Sequence, residues 1–279
     1  MKRMIATALA MVMGPPAAGA GPAQPVVEAE AAFARAVAAR GTRDGFIDFA
    51  APDAIMFADK PVPARGFIAS WPDDPEDAPP LDWWPDFAGI ARSGDFGFST
   101  GPATSPVRYM TVWQKQPDGQ WKWIYDGGAN LPAPAAGGKP KTIRFLPAAT
   151  AEAGSAARAM AEIGAVETKL ATDAATDAPA AYRALIAEGG VLAGTLAWAE
   201  PGGQADEIAR RGATMTLQPL GGSASSAGDM AFTYGSAGWT EGAHSRRGHY
   251  ARVWQRSPAG WRLAMEALIA PRPRPQPAE

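Results

Sequence analysis

The chain has 279 residues, with 26 Lys and Arg against 28 Asp and Glu, for a formal net charge of −2. That length suits two domains of ordinary size, each able to bury a core without covalent staples. With no cysteine and only two histidines, disulfides, thiolate metal sites, a cysteine nucleophile and a multi-histidine metal centre are excluded, and the interspersed charges leave no basic stripe for nucleic acid.

Lys2 and Arg3 precede an apolar run, Met4 to Gly14, that is too short to span a membrane as a helix. Pro15, Pro16 and the small residues Ala18-Gly19-Ala20 follow. This pattern predicts a secretory signal peptide over 1–20, cut after Ala20 or Ala23. The mature protein is then expected to be periplasmic or secreted, with no membrane contact; the alternative is an uncleaved anchor. No cysteine is present to carry a lipid.

Val26 to Arg40 places Val27, Phe33 and Val37 among Glu28, Glu30 and Arg35, which predicts an amphipathic helix ending at Gly41. A second short helix carries Phe46, Ile47 and Phe49, and a short strand covers Ala54 to Phe57. Asp73 to Pro80, dense in acids and prolines, reads as a solvated loop. From Leu81 the texture becomes β. Strands are expected at Leu81–Ile90, Phe96–Thr100, Val107–Lys115 and Trp121–Asp126. Gly94-Asp95 and Pro117-Asp118-Gly119 form the hairpin turns, and Pro85 disturbs the first strand. A Pro/Ala/Gly-rich joint follows.

The second half repeats the order. Helices are expected at Ala151–Ala175 and Ala178–Ala187, a strand at Val191–Trp198, and a helical turn at Asp206–Arg211. Strands near Leu217, at Gly248–Gln255 and at Trp261–Glu266 complete it. Residues from Pro271 alternate Pro and Arg and read as an unpacked tail.

The repetition is explicit in two segments. Tyr109-Met-Thr-Val-Trp-Gln-Lys-Gln-Pro-Asp-Gly-Gln-Trp121 matches Tyr250-Ala-Arg-Val-Trp-Gln-Arg-Ser-Pro-Ala-Gly-Trp261, and Gly94-Asp95 matches Gly228-Asp229. Self-similarity of this kind means two copies of one folding unit. The resulting division is a signal peptide at 1–20, domains at 24–131 and 151–271, a linker at 132–150 and a disordered tail at 272–279.

At Asp53 to Phe57, Gly94 to Gly101 and Tyr109 to Trp121, the first half resembles the DUF4440 branch of the NTF2-like (SnoaL-like, ketosteroid-isomerase-like) superfamily. The second half is similar from Gly228 to Trp261. The resemblance implies an α+β fold of two tandem NTF2-like cones, each a curved, mostly antiparallel sheet packed on N-terminal helices with a pocket in its mouth. It also implies an intramolecular pseudo-dimer through the outer sheet faces, with Trp113 or Trp254 near the shared face. Such a fold serves many functions, so chemistry must be argued from side chains.

Strand alternation puts Trp121, Trp123 and Tyr125 on one face and Lys122, Ile124 and Asp126 on the other. Trp261, Leu263 and Met265 likewise oppose Arg262, Ala264 and Glu266. Asp126 and Glu266 are thus equivalent. Each is either a proton carrier raised in pKa by an apolar cavity or a salt-bridged or solvated strand end. Asp95 and Asp229 are read as turn residues bonding local backbone. Trp83 and Trp84, set among Asp82 and Asp86, are candidates to grip a flat or cationic ligand, though adjacent strand residues cannot both face a cavity. Trp123, Tyr109 and Tyr250 are further ligand candidates or a core aromatic ladder. His249, beside Tyr250, is a candidate general base or a surface or hydrogen-bonded histidine. His244 is expected in a loop. The helix tyrosine and paired pocket acids of an isomerase of this superfamily are not matched: Phe33 and Phe46 stand in the first half, and Tyr182 lacks an obvious acid pair. No metal or cofactor motif is present.

The expected function is binding of a small, partly apolar ligand in a cone pocket, the first half holding the better one. One alternative is acid–base enzymology of isomerase, dehydratase or hydrolase type. Another is a non-catalytic structural or interaction module. A cavity of roughly 300 Å3 or more separates the first two from the third.

Overall fold

A computed structural model describes residues 21–131, 139–150, 154–194 and 203–270. The predicted signal peptide, the proline-rich tail, part of the linker (132–138), the start of the helix predicted from Ala151 (151–153) and the end of the strand predicted to reach Trp198 lie outside the described residues.

Helix α1 (Gln24–Arg40) starts on Pro25 and buries Val26, Glu30, Phe33 and Val37 along one face. It stops where Gly41 takes φ 85°, its amide still bonded to the Val37 carbonyl. Helix α2 (Thr42–Phe49) follows at once and turns Phe46 inward. The second half contains the same pair fused. Helix α4 (Ala156–Leu185) carries Ile163, Glu167, Leu170 and Ala174 where α1 has Val26, Glu30, Phe33 and Val37. It breaks at Asp177 (φ −146°, ψ 86°), whose side chain accepts from the Ala180 amide at 2.9 Å, a cap that restarts the helix ahead of Pro179.

Strands β1 (Ala50–Phe57), β2 (Pro61–Pro63), β3 (Phe87–Ile90), β4 (Phe96–Pro102), β5 (Val107–Lys115), β6 (Trp121–Asn130) and β7 (Arg144–Phe145) form one sheet, ordered β2-β1-β6-β5-β4-β3-β7. Helix α3 (Ala64–Ile68) lies between β2 and β3. The second sheet, from β8 (Ile186–Ala193), β9 (Thr216–Ala224), β10 (Met230–Glu241), β11 (His244–Ser257) and β12 (Gly260–Ile269), is ordered β8-β12-β11-β10-β9, with α5 (Gln204–Arg210) before β9. In each, a strand following the helices pairs parallel with the last long strand, and the long strands are antiparallel. The fold is α+β in both halves, and its element order is the one expected of an NTF2-like cone.

Three expectations are corrected. Pro85 confines β3 to Phe87–Ile90, leaving Trp83 as a lone bridge to Ala103. His244 lies on a strand, because the β10–β11 hairpin runs to a tight turn at Gly242 (φ 60°). The third concerns strand alternation. Trp113 pairs with Trp123 but Val112 pairs with Tyr125, so Ile124 is an extra, bulged residue. Trp123 and Asp126 therefore share the helix-facing side, and Tyr125 points the other way. In the second half Trp254 pairs with Leu263 and Val253 with Met265, which bulges Ala264 and puts Glu266 with Leu263.

The faces turned away from the helices meet. Tyr125 stacks on Phe232 at 5.2 Å, and Phe57 stacks on His249 at 4.5 Å. Phe232, Val253 and Met265 belong to the same apolar cluster as Val112 and Tyr125. At one end the two Gly-Asp turns interlock. Asp229 accepts from the Arg92 amide at 3.0 Å, and Asp95 accepts from the Ser226 amide at 3.3 Å. Equivalent residues thus exchange equivalent bonds, the signature of a local two-fold. Trp113 and Trp254 are not near this shared face, because both lie inside their own cups, where each indole N–H is bonded.

Candidate functional site

The first cup holds a cavity of about 690 Å3, within the range of small-molecule pockets. Phe46 of α2, Phe67 of α3, Trp71 and Trp83 form its aromatic wall, and β5 and β6 contribute Tyr109 and Asp126. The second unit closes one side with His249, Ile269 and Ala270. The bulge at Ile124 is what aims Asp126 here.

Behind the cavity sits Glu30. It is buried on α1 and accepts from Trp83 Nε1 at 2.5 Å, from Trp113 Nε1 at 3.0 Å and from the Ser99 hydroxyl. Burial raises its pKa, and these donors only partly oppose the rise. Among the described residues Asp126 receives one side-chain hydrogen bond, from Thr111 Oγ1 at 2.8 Å. Burial and the charge of Glu30 drive its pKa well above the ordinary range. The Tyr109 hydroxyl is buried with no hydrogen-bond partner among the described residues. Ser99 lies close enough to influence it but donates its own proton to Glu30. Burial, with the charges of Glu30 and Asp86, keeps Tyr109 protonated. His249 reaches the cavity from the second unit, and partial burial lowers its pKa, favouring the neutral ring.

The second cup is built on the same plan and filled with charge. Glu167, in the place of Glu30, accepts from Thr233, from Tyr250 at 3.1 Å and from Arg252 at 2.5 Å. Arg252 also reaches Glu266 at 2.5 Å, and Arg211 joins Glu266 to Glu207. Tyr182 donates to Glu266 at 3.0 Å. Glu266 is fully buried; its two arginines outweigh burial and lower its pKa, so it stays ionised.

The sequence-derived candidates divide accordingly. Asp126, His249, Trp83 and Tyr109 are brought together around the cavity. Trp84 is half-buried outside it, Trp123 is buried deeper in the first cup, and Tyr250 and Glu266 belong to the second cup's charge cluster. Tyr182 donates to one acid, Glu266. Sequence reasoning missed Glu30 and Glu167. Their signal was available: each is a glutamate on the apolar face of a helix, four residues after Val26 or Ile163 and three before Phe33 or Leu170. Among the described residues no cluster of His, Asp and Glu is arranged to hold a metal ion.

No family model matches the chain, and no curated protein matches it in sequence. Solved structures do. An NTF2-like superfamily protein from Salmonella enterica is 13% identical, covering 43% of this chain and 95% of its own, with TM-score 0.35. A ketosteroid isomerase-like protein from Erwinia carotovora atroseptica is 18% identical, covering 40% and 96%, with TM-score 0.34. A protein with a cystatin-like fold from Nostoc punctiforme is 13% identical, covering 45% and 98%, with TM-score 0.35.

Proposed function

We propose that the first cup binds a small, partly apolar molecule and that the second cup is a structural wall. The observation that carries this reading is the 690 Å3 cavity, which combines aromatic walls with two polar groups, Asp126 and the Tyr109 hydroxyl that has no hydrogen-bond partner among the described residues. An unsatisfied buried hydroxyl is costly, and a ligand acceptor would satisfy it. The second cup has ion pairs where the first has space. Native mass spectrometry of protein purified from its own host should show a co-purified mass, lost on unfolding. Apo protein alone, together with no tryptophan-fluorescence response to any member of a small-molecule panel, would overturn the reading.

A second reading has its own support. Asp126, its pKa raised by burial and its carboxyl on the cavity surface, is suited to give and take a proton. An enzyme working this way would lose turnover in Asp126→Asn while retaining ligand.

Export is also proposed, from the basic and apolar N-terminal segment. Cleavage after Ala20 fits the fold better than cleavage after Ala23. Ala23 is buried, and its carbonyl accepts from the Val26 and Val27 amides at the start of α1. N-terminal sequencing of the mature protein would decide between them.

A further inference from the structure

We propose that the ligand of the first cup is an organic cation, an ammonium or guanidinium on an apolar body. This inference rests on the cavity being a ligand site and goes on to name the class of ligand.

The second cup carries the argument, because it shows the same constellation already occupied by a cation. There the Arg252 guanidinium lies 3.7 Å from the centroid of the Tyr250 ring and is clasped between Glu167 and Glu266. The first cup keeps each of those partners: Tyr109 for Tyr250, Glu30 for Glu167 and Asp126 for Glu266. It lacks the cation, since Thr111 stands where the other cup has Arg252. A short hydroxyl replaces a long guanidinium, and a cavity opens at Asp126.

The electrostatics of the lining agree. Among the described residues that line the cavity there is no Lys or Arg, while Asp126 and Asp59 are both there. The one basic side chain is His249, whose partial burial disfavours its charge. Aromatic faces from Phe46, Trp71, Trp83 and Tyr109 surround the remaining space, and such rings attract cations and repel anions. A carboxylate-bearing ligand would meet two acids and no counter-charge.

Binding is then linked to a proton. Asp126 faces Thr111 from β5 and Glu30 from α1, Tyr125 is its chain neighbour, and Tyr109, Asp59 and His249 lie elsewhere on the lining. None of these supplies a positive charge to an ionised Asp126 while His249 is neutral. A bound cation does, so the Asp126 carboxyl proton passes to solvent and the ligand keeps its own charge.

The test uses the full chain and two near-isosteric probes, benzylguanidinium and neutral benzylurea, with phenylacetate as the anion. Calorimetry at pH 8 is expected to show benzylguanidinium binding at least about tenfold tighter than benzylurea. Phenylacetate should bind weakest. The preference should shrink as pH falls and Asp126 protonates. Asp126→Asn, an isosteric change whose folding is checked by thermal melting, should bring the two affinities to within about twofold of each other. Thr111→Arg, which supplies an internal guanidinium, should invert the order. If benzylurea binds as tightly as benzylguanidinium in the unaltered chain, the charge inference falls and the ligand site stands. If none of the probes binds at millimolar concentration, the ligand site falls with it.

Discussion

Two residues at one structural position, Asp126 and Glu266, show how neighbours decide what a carboxyl group does. Each lies two residues past a bulge, on the last long strand, facing the helices. Glu266 meets Arg211 and Arg252 and is held ionised. Asp126 meets Thr111 and the charge of Glu30 and is pushed toward the neutral acid. The consequences for stability have opposite signs. A carboxyl raised in the folded state adds stability that is full below its unfolded pKa, near 3.8, and is lost as pH rises through the folded value. A lowered carboxyl adds stability above its unfolded pKa, near 4.5, that is lost as pH falls through the folded value. Replacing Asp126 by Asn removes the first term alone. Melts of the unaltered chain and Asp126→Asn should therefore diverge as pH rises from 4 to 8, with the Asn protein increasingly the more stable. Parallel curves would mean that Asp126 is solvated. The equivalence of the two acids could be read from sequence, five residues after Trp121 and Trp261. Their opposite environments could not, because Glu207 comes from α5, Arg211 from the residue after it and Glu30 from α1, contacts that no local pattern encodes.

At the scale of elements, the repeated Tyr-x-x-Val-Trp-Gln frame and the Gly-Asp turns located the strands well. The faces of those strands were misassigned beyond the bulges. Period-two reasoning assumes uninterrupted pairing, and a bulge adds one residue without marking it in composition: Ile124 and Ala264 are ordinary strand residues. Every side chain past such a point changes face, which is why Asp126 ends up with Trp123 and not opposite it. The Gly-Asp turns offer a comparison. Gly94 (φ 67°) and Gly228 (φ 63°) share a left-handed backbone that costs a non-glycine residue about 1–2 kcal/mol. Their surroundings differ. A Cβ at Gly94 would meet nothing within 4 Å, whereas one at Gly228 would lie 2.7 Å from the Ser155 carbonyl oxygen at the start of α4. Gly94→Ala should thus lower stability by about 1–2 kcal/mol. Gly228→Ala should cost clearly more, since α4 must also shift. Equal losses in urea unfolding would show that α4 is not seated on the turn.

The whole molecule is two cups sharing one core, and this governs how it comes apart. Phe232 belongs to β10 of the second unit, yet its ring stacks on Tyr125 of the first at 5.2 Å and lies 5.8 Å from Tyr234. Tyr234 in turn touches Phe57, and Phe57 stacks on His249 at the edge of the cavity. An aromatic chain therefore runs from the shared core to the cavity and crosses repeatedly between the two halves. If each half were independently stable, truncating Phe232 would weaken only the second. With a shared core, truncation leaves a cavity lined by both sheets, at a cost of about 3–5 kcal/mol, and removes support from Tyr125 and Phe57 together. Phe232→Ala should therefore raise amide exchange in β1 and β6 of the first unit as well as in β10, and unfolding should remain a single transition. Exchange confined to β10 and its neighbours, or two separate transitions, would show that the halves fold alone. In that case the second unit's wall on the cavity would be a docked partner and not part of one continuous core.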